Sequence, residues 1–387
     1  MFELNKMQKE IRKSVRAFAK GEFEKEQCME MDKFCKFPES QKNKAADTGY
    51  LGVHFPEEFN GGSLGVVENA LIAEELCIKD STTGCAIMLS IMGSEFLLRY
   101  GSDSLKKRYL PELSGGKIIS SEAFSEQTSD SEFLNINTVA EKTDSGWVLN
   151  GKKANVINGD SSDIFFILCK IEENQDGRDN SLAVFLVDSS RSGIIVDEKK
   201  DSLGLRMLNR VDITFNNVTI PLENHIVSIG NDKKELYLYR SEILVQIAAM
   251  ATGIAKGAYE RSLSYIKLRE QFGKKIGEFQ ITRHKIAEMA TQIELASLIT
   301  HKAAQTIDSG KPDYAICAMA KNSATRSAVK VTDEAIQLFG GYGFTSEYEV
   351  ERYYRDAKVL ELLGSSKSFL KDKIADKEIG RIKKSKK

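Results

Sequence analysis

Apolar positions in the first 120 residues recur at helical spacing. Ile11, Val15, Phe18 and Ala19 share one face of the segment 6–20, and residues 66–78 repeat the pattern. Residues 84–100 are largely apolar, which predicts a buried helix. Pro56 with Gly61-Gly62 marks a loop, and Pro111 with Gly115-Gly116 closes the block. The period then changes. Trp147-Val148-Leu149, residues 164–168, 182–187, 194–196 and 211–220 are strand-like runs. Asn150-Gly151, Asn158-Gly159-Asp160, Asp176-Gly177 and Asn216-Asn217 punctuate them as turns, and residues 172–180 read as an exposed hairpin loop. Short strands at this spacing predict a compact barrel or sandwich. From about residue 233 the helical period returns, over 236–270, 279–308, 312–339, 347–358 and a tail segment. These fit a bundle of four or five helices. The final residues, 381–387, read as a solvated, frayed end.

The pattern gives an α+β chain, mainly helical, in three parts. They are an N-terminal helical domain (1–120), a middle β domain expected to be a barrel (121–226) and a C-terminal four-helix bundle (227–387). A chain of 387 residues is long enough for two or three such domains. Its 55 basic and 56 acidic side chains leave a net charge of −1, which argues against a nucleic-acid partner. The first residues lack a signal-peptide pattern, and no apolar run approaches a membrane span. Cys77, Cys85 and Cys169 sit in apolar contexts and read as small core residues in a reducing compartment. The four histidines lack metal-ligand spacing, so no metal is expected and a cytoplasmic location is.

Candidate chemistry lies mainly in the last third. Arg269-Glu270-Gln271-Phe272-Gly273 carries a guanidinium fork suited to two parallel hydrogen bonds with phosphate oxygens. The same residues also read as a helix C-cap, with Gly273 in the left-handed position. Gln280 lies seven residues beyond Gly273. Gln337-Leu338-Phe339-Gly340-Gly341-Tyr342-Gly343 lets backbone N–H groups come close to a ligand, and it equally suits a plain helix–helix turn. Downstream stand Glu351-Arg352-Tyr353-Tyr354-Arg355-Asp356-Ala357-Lys358 and Gly364-Ser365-Ser366.

Together these segments resemble the acyl-CoA dehydrogenase family, over about residues 4–374. The resemblance implies FAD as cofactor. It assigns Arg269, Phe272 and Gln280 to the turn that meets the pyrophosphate, and Gln337, Gly340 and Gly341 to the second dinucleotide loop. It implies a homodimer or homotetramer, because those elements reach FAD across a subunit interface. Ser125, in Ala123-Phe124-Ser125-Glu126, matches the family's hydroxyl at the flavin pyrimidine edge. Ser131, in Asp130-Ser131-Glu132, matches the serine of a Gly-Ser-Asp beside the thioester.

Departures from the family fall at the reacting centre. Asn155 and Ile157 replace a tryptophan and a threonine that lie against the isoalloxazine. Gly364 stands where the family commonly carries the glutamate that removes the α-proton. Some members place that base on the first long helix instead, at the position of Ile243. Glu242 is one residue away, about 100° around a helix, and is the leading candidate for the base; Glu361 is the second. Ser241 and Leu244 replace an Asp-x-x-Arg found in CoA-using relatives, which favours a carrier-protein tether. The implied reaction is α,β-dehydrogenation of an acyl or aminoacyl thioester on CoA or a carrier protein, with an electron-transfer flavoprotein as candidate acceptor. A flavin-dependent oxidase or oxygenase on the same scaffold is the alternative, and a catalytically silent, non-redox partner subunit is a third reading.

Overall fold

The computed structural model describes residues 3–127, 136–172 and 181–380. The N-terminal helices are α1 (Lys6–Glu22), α2 (Lys25–Lys33), α3 (Glu39–Asp47), α4 (Val66–Lys79), α5 (Ser81–Met88), α6 (Ser94–Tyr100) and α7 (Asp103–Ser114). Asn5 and Gln8 cap α1 reciprocally, and Val15 and Ala19 are its buried residues. The apolar stretch 84–100 is not one helix. It breaks after α5, and Ile91 bridges to Ser120 of the sheet. Burial on all sides made this segment read as continuous, although its middle is a pair of turns on either side of the single bridge at Ile91.

The middle region is a sheet of β1 (Ser120–Ala123), β2 (Val139–Thr143), β3 (Gly146–Ile157), β4 (Ile164–Glu172), β5 (Leu182–Asp188), β6 (Ile194–Val196), β7 (Arg210–Ile220) and β8 (His225–Ile229). The order is β6-β7-β3-β2-β4-β5-β8, with β1 parallel to β4. Along β4 and β5 successive side chains enter different cores. Phe165, Ile167, Ala183 and Phe185 face the sheet's own interior, where Trp147 and Phe215 also pack. Phe166, Leu168, Val184 and Leu186 face the helices. Both faces are dry, so these strands are continuous apolar runs rather than alternating ones. Asn150-Gly151, expected as a turn, lies inside β3 at a shift of register against β7, so it is a bulge. Residues 173–180, most of the expected hairpin loop, and 381–387 lie outside the described residues.

The C-terminal helices are α8 (Lys234–Leu268), α9 (Gln280–Asp308), α10 (Tyr314–Phe339), α11 (Val350–Leu360) and α12 (Lys367–Ile379). A small hairpin, β9 (Glu270–Gln271) and β10 (Lys274–Lys275), joins α8 to α9. Helix α8 is buried almost all round between Tyr239 and Ala258 and forms the spine of the molecule. Gly253 and Gly257 let α4 lie directly on it: a Cβ there would stand 2.2 Å from the Glu74 carbonyl oxygen and 2.3 Å from that of Ile78.

The charged motif on α11 serves the fold. Arg352, 2% exposed, pairs with Asp80 at 2.6 Å and with Glu349 at 2.8 Å. Asp356 accepts hydrogen bonds from Ser81 Oγ (2.6 Å), Thr82 Oγ1 (2.5 Å) and the Leu205 amide (2.6 Å). One carboxylate thereby ties the N-terminal helices, the middle segment and the bundle together. Among the described residues no helix is long and apolar enough to cross a membrane. Cys77, Cys85 and Cys169 are buried free thiols.

Candidate active site

Between the sheet and the bundle lies a cleft of about 750 Å³. The broken helix supplies Leu89 and Met92, the sheet Glu122, Ser125, Glu126, Asn155, Ile157 and Arg210, and α8 Arg240, Ile243 and Ile247. The turn between α11 and α12 closes it with Glu361, Gly364 and Lys367. Arg240 and Lys321 hold that turn in place. Arg240 donates to the Gly364 carbonyl at 3.0 Å, and the buried Lys321 donates to the Glu361 carbonyl at 2.8 Å. Burial and the charge of Lys367 bring the Lys321 ammonium down to about 8.

Both family positions for a catalytic glutamate are apolar in this cleft. Ile243 lines it. Gly364 has φ +81, and a Cβ there would stand 2.8 Å from Ile247 Cδ1, so a side chain would strain the backbone and displace Ile247. Among the described residues three carboxylates line the cleft, and all are paired. Glu122 meets Arg240 at 2.9 Å and accepts from the Tyr239 hydroxyl at 2.6 Å. Burial and the Glu122 charge push the Tyr239 phenol well up, so it stays a donor. Glu126 pairs with the fully buried Lys153 at 2.8 Å and accepts from Thr138 and the Asn137 amide. Burial works to raise Glu126, but the Lys153 charge and these bonds outweigh it and hold the group at about 2. Glu361 is clamped by Lys358 at 2.8 Å and by Lys367. Burial favours its neutral form, yet the two lysines keep its pKa below the usual value.

Glu242, the leading candidate from sequence, does not line this cleft. It turns away from the face of α8 that carries Ile243 and Ile247 and pairs with Arg99. Burial raises its pKa against the opposing charge of Arg99. The one-residue offset along the helix rotates its carboxylate out of the site, as a 100° step requires. Ser125 faces the cleft. Ser131 lies outside the described residues. Asn155 is exposed at φ +55, with its side-chain oxygen accepting from Lys200 at 3.1 Å. Arg210 sits opposite Ile157 in the β3–β7 ladder, and its Nε and one terminal nitrogen are buried without a hydrogen-bond partner. Burial alone lowers its pKa.

A separate groove of about 470 Å³ gathers Arg269, Gln337, Gly340 and Gly341, with Tyr265 and Phe339 stacked at 4.1 Å beside them. Arg269 ends α8 as its C-cap, so the helix-cap reading of this residue also holds. Phe272 and Gly273 turn the β9–β10 hairpin at φ +52 and +76, leaving Phe272 93% exposed. Gln280 opens α9 at the surface. The structure therefore brings four of the expected dinucleotide residues into one groove and sets Phe272 and Gln280 on the adjoining turn.

Family models for the N-terminal, middle and C-terminal domains of acyl-CoA dehydrogenases match residues 5–117, 121–218 and 245–378. The chain belongs to the acyl-CoA dehydrogenase family. A probable acyl-CoA dehydrogenase of Mycobacterium tuberculosis is 31% identical over 363 residues, covering 94% of this chain and 92% of that protein. The prolyl acyl carrier protein oxidase AnaB superposes with a TM-score of 0.91 at 25% identity, over 98% of this chain and 100% of that one. PigA, solved with FAD and proline, gives 0.89 at 27% identity over 98% and 99%. As a member of this family the chain is a flavin oxidoreductase, and FAD is the cofactor its neighbours imply.

The residues present fit that cofactor. Nothing lies within 4 Å of where a Cβ would stand on Gly340 or Gly341, so their backbone is open to a ligand beside the Arg269 guanidinium. The cleft offers the unpartnered Arg210 nitrogens and Ser125. Sequence reasoning missed Glu122, Arg240 and Arg210. β1 reads Ser120-Ser121-Glu122-Ala123, so a charge there does not conflict with its neighbours and gave no signal. Arg240 and Arg210 gave none either.

Proposed function

We propose that this acyl-CoA dehydrogenase removes the α-proton of an acyl or aminoacyl thioester with Glu122, the thioester being carried on CoA or on a carrier protein. The observation that carries this reading is the Glu122–Arg240 pair, whose guanidinium reaches the carbonyl of Gly364 at 3.0 Å. A carboxylate therefore stands one guanidinium away from the residue at which the family carries its base. FAD, when bound, supplies the acceptor for the hydride leaving the β-carbon. Tyr239 and Arg240 orient Glu122 through the hydroxyl bond at 2.6 Å and the guanidinium contact at 2.9 Å. Arg269, Gln337, Gly340 and Gly341 would hold the dinucleotide, and Ser125 and Arg210 the ring end. Phe272, Gln280 and, outside the described residues, Ser131 keep their proposed roles toward cofactor and thioester.

Leu268, Phe272 and Phe344, each next in sequence to a residue that lines the groove, are 77, 93 and 83% exposed. A monomer rarely leaves such a patch open, and this supports a homo-oligomer in which a second copy covers the groove. Ser241 and Leu244, in place of an Asp-x-x-Arg, and the prolyl carrier protein oxidase among the neighbours support a carrier-bound substrate. An electron-transfer flavoprotein is the proposed acceptor. A second reading, an oxidase, draws on the exposed Asn155 in place of a covering aromatic ring. Peroxide release under air, in step with substrate loss, would decide for it.

Glu122→Gln is expected to retain bound flavin, read from the visible spectrum, and to lose substrate-driven anaerobic bleaching by about 10²-fold or more. Glu361→Gln should bleach within a few-fold of the parent. Bleaching at the parent rate by Glu122→Gln would remove Glu122 from the role.

A further inference from the structure

Leu89, Met92, Ile243 and Ile247 form an apolar part of the cleft wall, and polar residues lie on the other side of Met92. Met92 lines both the cleft and a small cavity of about 10 Å³, which adjoins a second of about 20 Å³. His54, Asn69, Glu95 and Gln246 line both small cavities. Each cavity has room for a single water-sized group. Glu95 and Glu242 are each 8% exposed, and Oε2 of each lacks a hydrogen-bond partner among the described residues. Both ring nitrogens of His54 lack one as well, its nearest contact with Glu95 being 3.7 Å. Buried acceptors left unmade cost free energy, so something is expected to satisfy them.

We propose that this pocket is a subsite for the far end of the acyl chain and takes a terminus that donates hydrogen bonds, a hydroxyl or an ammonium group. The inference rests on the thioester reading of the cleft. Ile243 and Gln246 are less than one turn apart on α8, a rise of roughly 5 Å, which sets a short chain. The charges suit a donor. Burial and the nearby Arg99 bring His54 down to about 4, so it is neutral and keeps one acceptor nitrogen. Arg99 is already paired with Glu242, which leaves Glu95 without a cation of its own. Burial and the Glu242 charge lift Glu95 to about 7, so near neutrality an arriving ammonium would draw it into the ionised form. A plain methyl terminus would leave every one of these atoms unpaired or trap a water beside it.

The test uses the full-length flavin-loaded protein and pantetheine thioesters whose α-carbon is replaced by nitrogen, which cannot form the α,β carbon–carbon double bond. Three probes of equal length end in methyl, hydroxyl and ammonium, and binding is followed by calorimetry. The hydroxyl or ammonium probe should bind at least about tenfold more tightly than the methyl probe, and Glu95→Gln should reduce that preference to under about threefold. A stronger ammonium than hydroxyl response would identify a charged terminus, and the reverse a neutral one; either supports the subsite. Equal or tighter binding of the methyl probe overturns it, as does no binding by any probe, or a preference unchanged in Glu95→Gln. Discrimination among these probes without bleaching by the carbon substrates would count against Glu122 as base and leave the subsite standing. Bleaching without discrimination would do the opposite.

Discussion

Two buried charged regions of this protein have opposite characters. At the α11 junction, Arg352 is ion-paired with Asp80 and Glu349, and Asp356 accepts from Ser81, Thr82 and the Leu205 amide. Along the cleft, Glu122, Glu361 and Arg210 border open volume, and Arg210 has nitrogens with no partner. The junction carries Arg352 and Asp356 of the most recognisable motif in the sequence, and neither lines the cleft. A buried charge that is fully paired stabilises a unique arrangement, whereas one left facing empty space is available to a ligand. Arg352 and Asp356 thus belong to the scaffold, and Arg210, with nitrogens that lack a partner among the described residues, belongs to the wall that a ligand would meet.

The comparison breaks most easily at the junction. Asp356→Ala should cost about 3–5 kcal/mol, because it leaves two hydroxyls and an amide buried without their acceptor. A lowered urea midpoint with early loss of flavin absorbance would show it. An unchanged midpoint would mean that the three parts dock without this carboxylate. Next in size is Gly364→Ala, at about 1–2 kcal/mol for the left-handed backbone together with displacement of Ile247. Melting curves should show the loss, and Ile247→Ala in the same chain should recover part of it. Full recovery would mean that the side-chain collision, not the backbone, dominates.

A pH profile sharpens the contrast further. Folding holds Glu95 at about 7 against an ordinary value of 4.5, so between these values the folded chain keeps a proton that the unfolded chain has released. Its contribution is fully present below about 4.5 and is lost as pH rises through about 7. Glu126 works the other way. Held at about 2, it contributes above its ordinary value of 4.5 and loses that contribution as pH falls towards 2. Urea midpoints between pH 4.5 and 7 should decline less in Glu95→Gln than in the parent. The smallest effect is expected for Glu242→Gln, roughly 1 kcal/mol from the partly exposed pair with Arg99. Its bleaching rate should stay within about threefold, and a hundredfold loss would restore Glu242 as the base.

Much of the fold was legible because burial leaves a periodic trace. Val15 and Ala19 face the core at the spacing that announced α1, and the continuous runs of β4 and β5 reflect two dry faces. The errors fall where that trace is ambiguous. A fully apolar segment cannot show that it breaks at the cleft, so residues 84–100 read as one element. Asn150-Gly151 has turn chemistry, but its neighbours in the ladder make it a bulge.

From the order of residues alone came the three-part layout, the turns around Arg269 and Gly340 expected to meet a dinucleotide, and the absence of a glutamate at position 364. Each depends on local spacing or on residue identity. Only the tertiary structure decided that Glu242 faces Arg99, that Glu122 meets Arg240 across the cleft, and that His54 and Glu95 border one small cavity. Those residues lie far apart along the chain, and one step of a helix is enough to turn a carboxylate from a site to its outer wall. Direction in space is set by packing between elements, and local spacing carries no record of it.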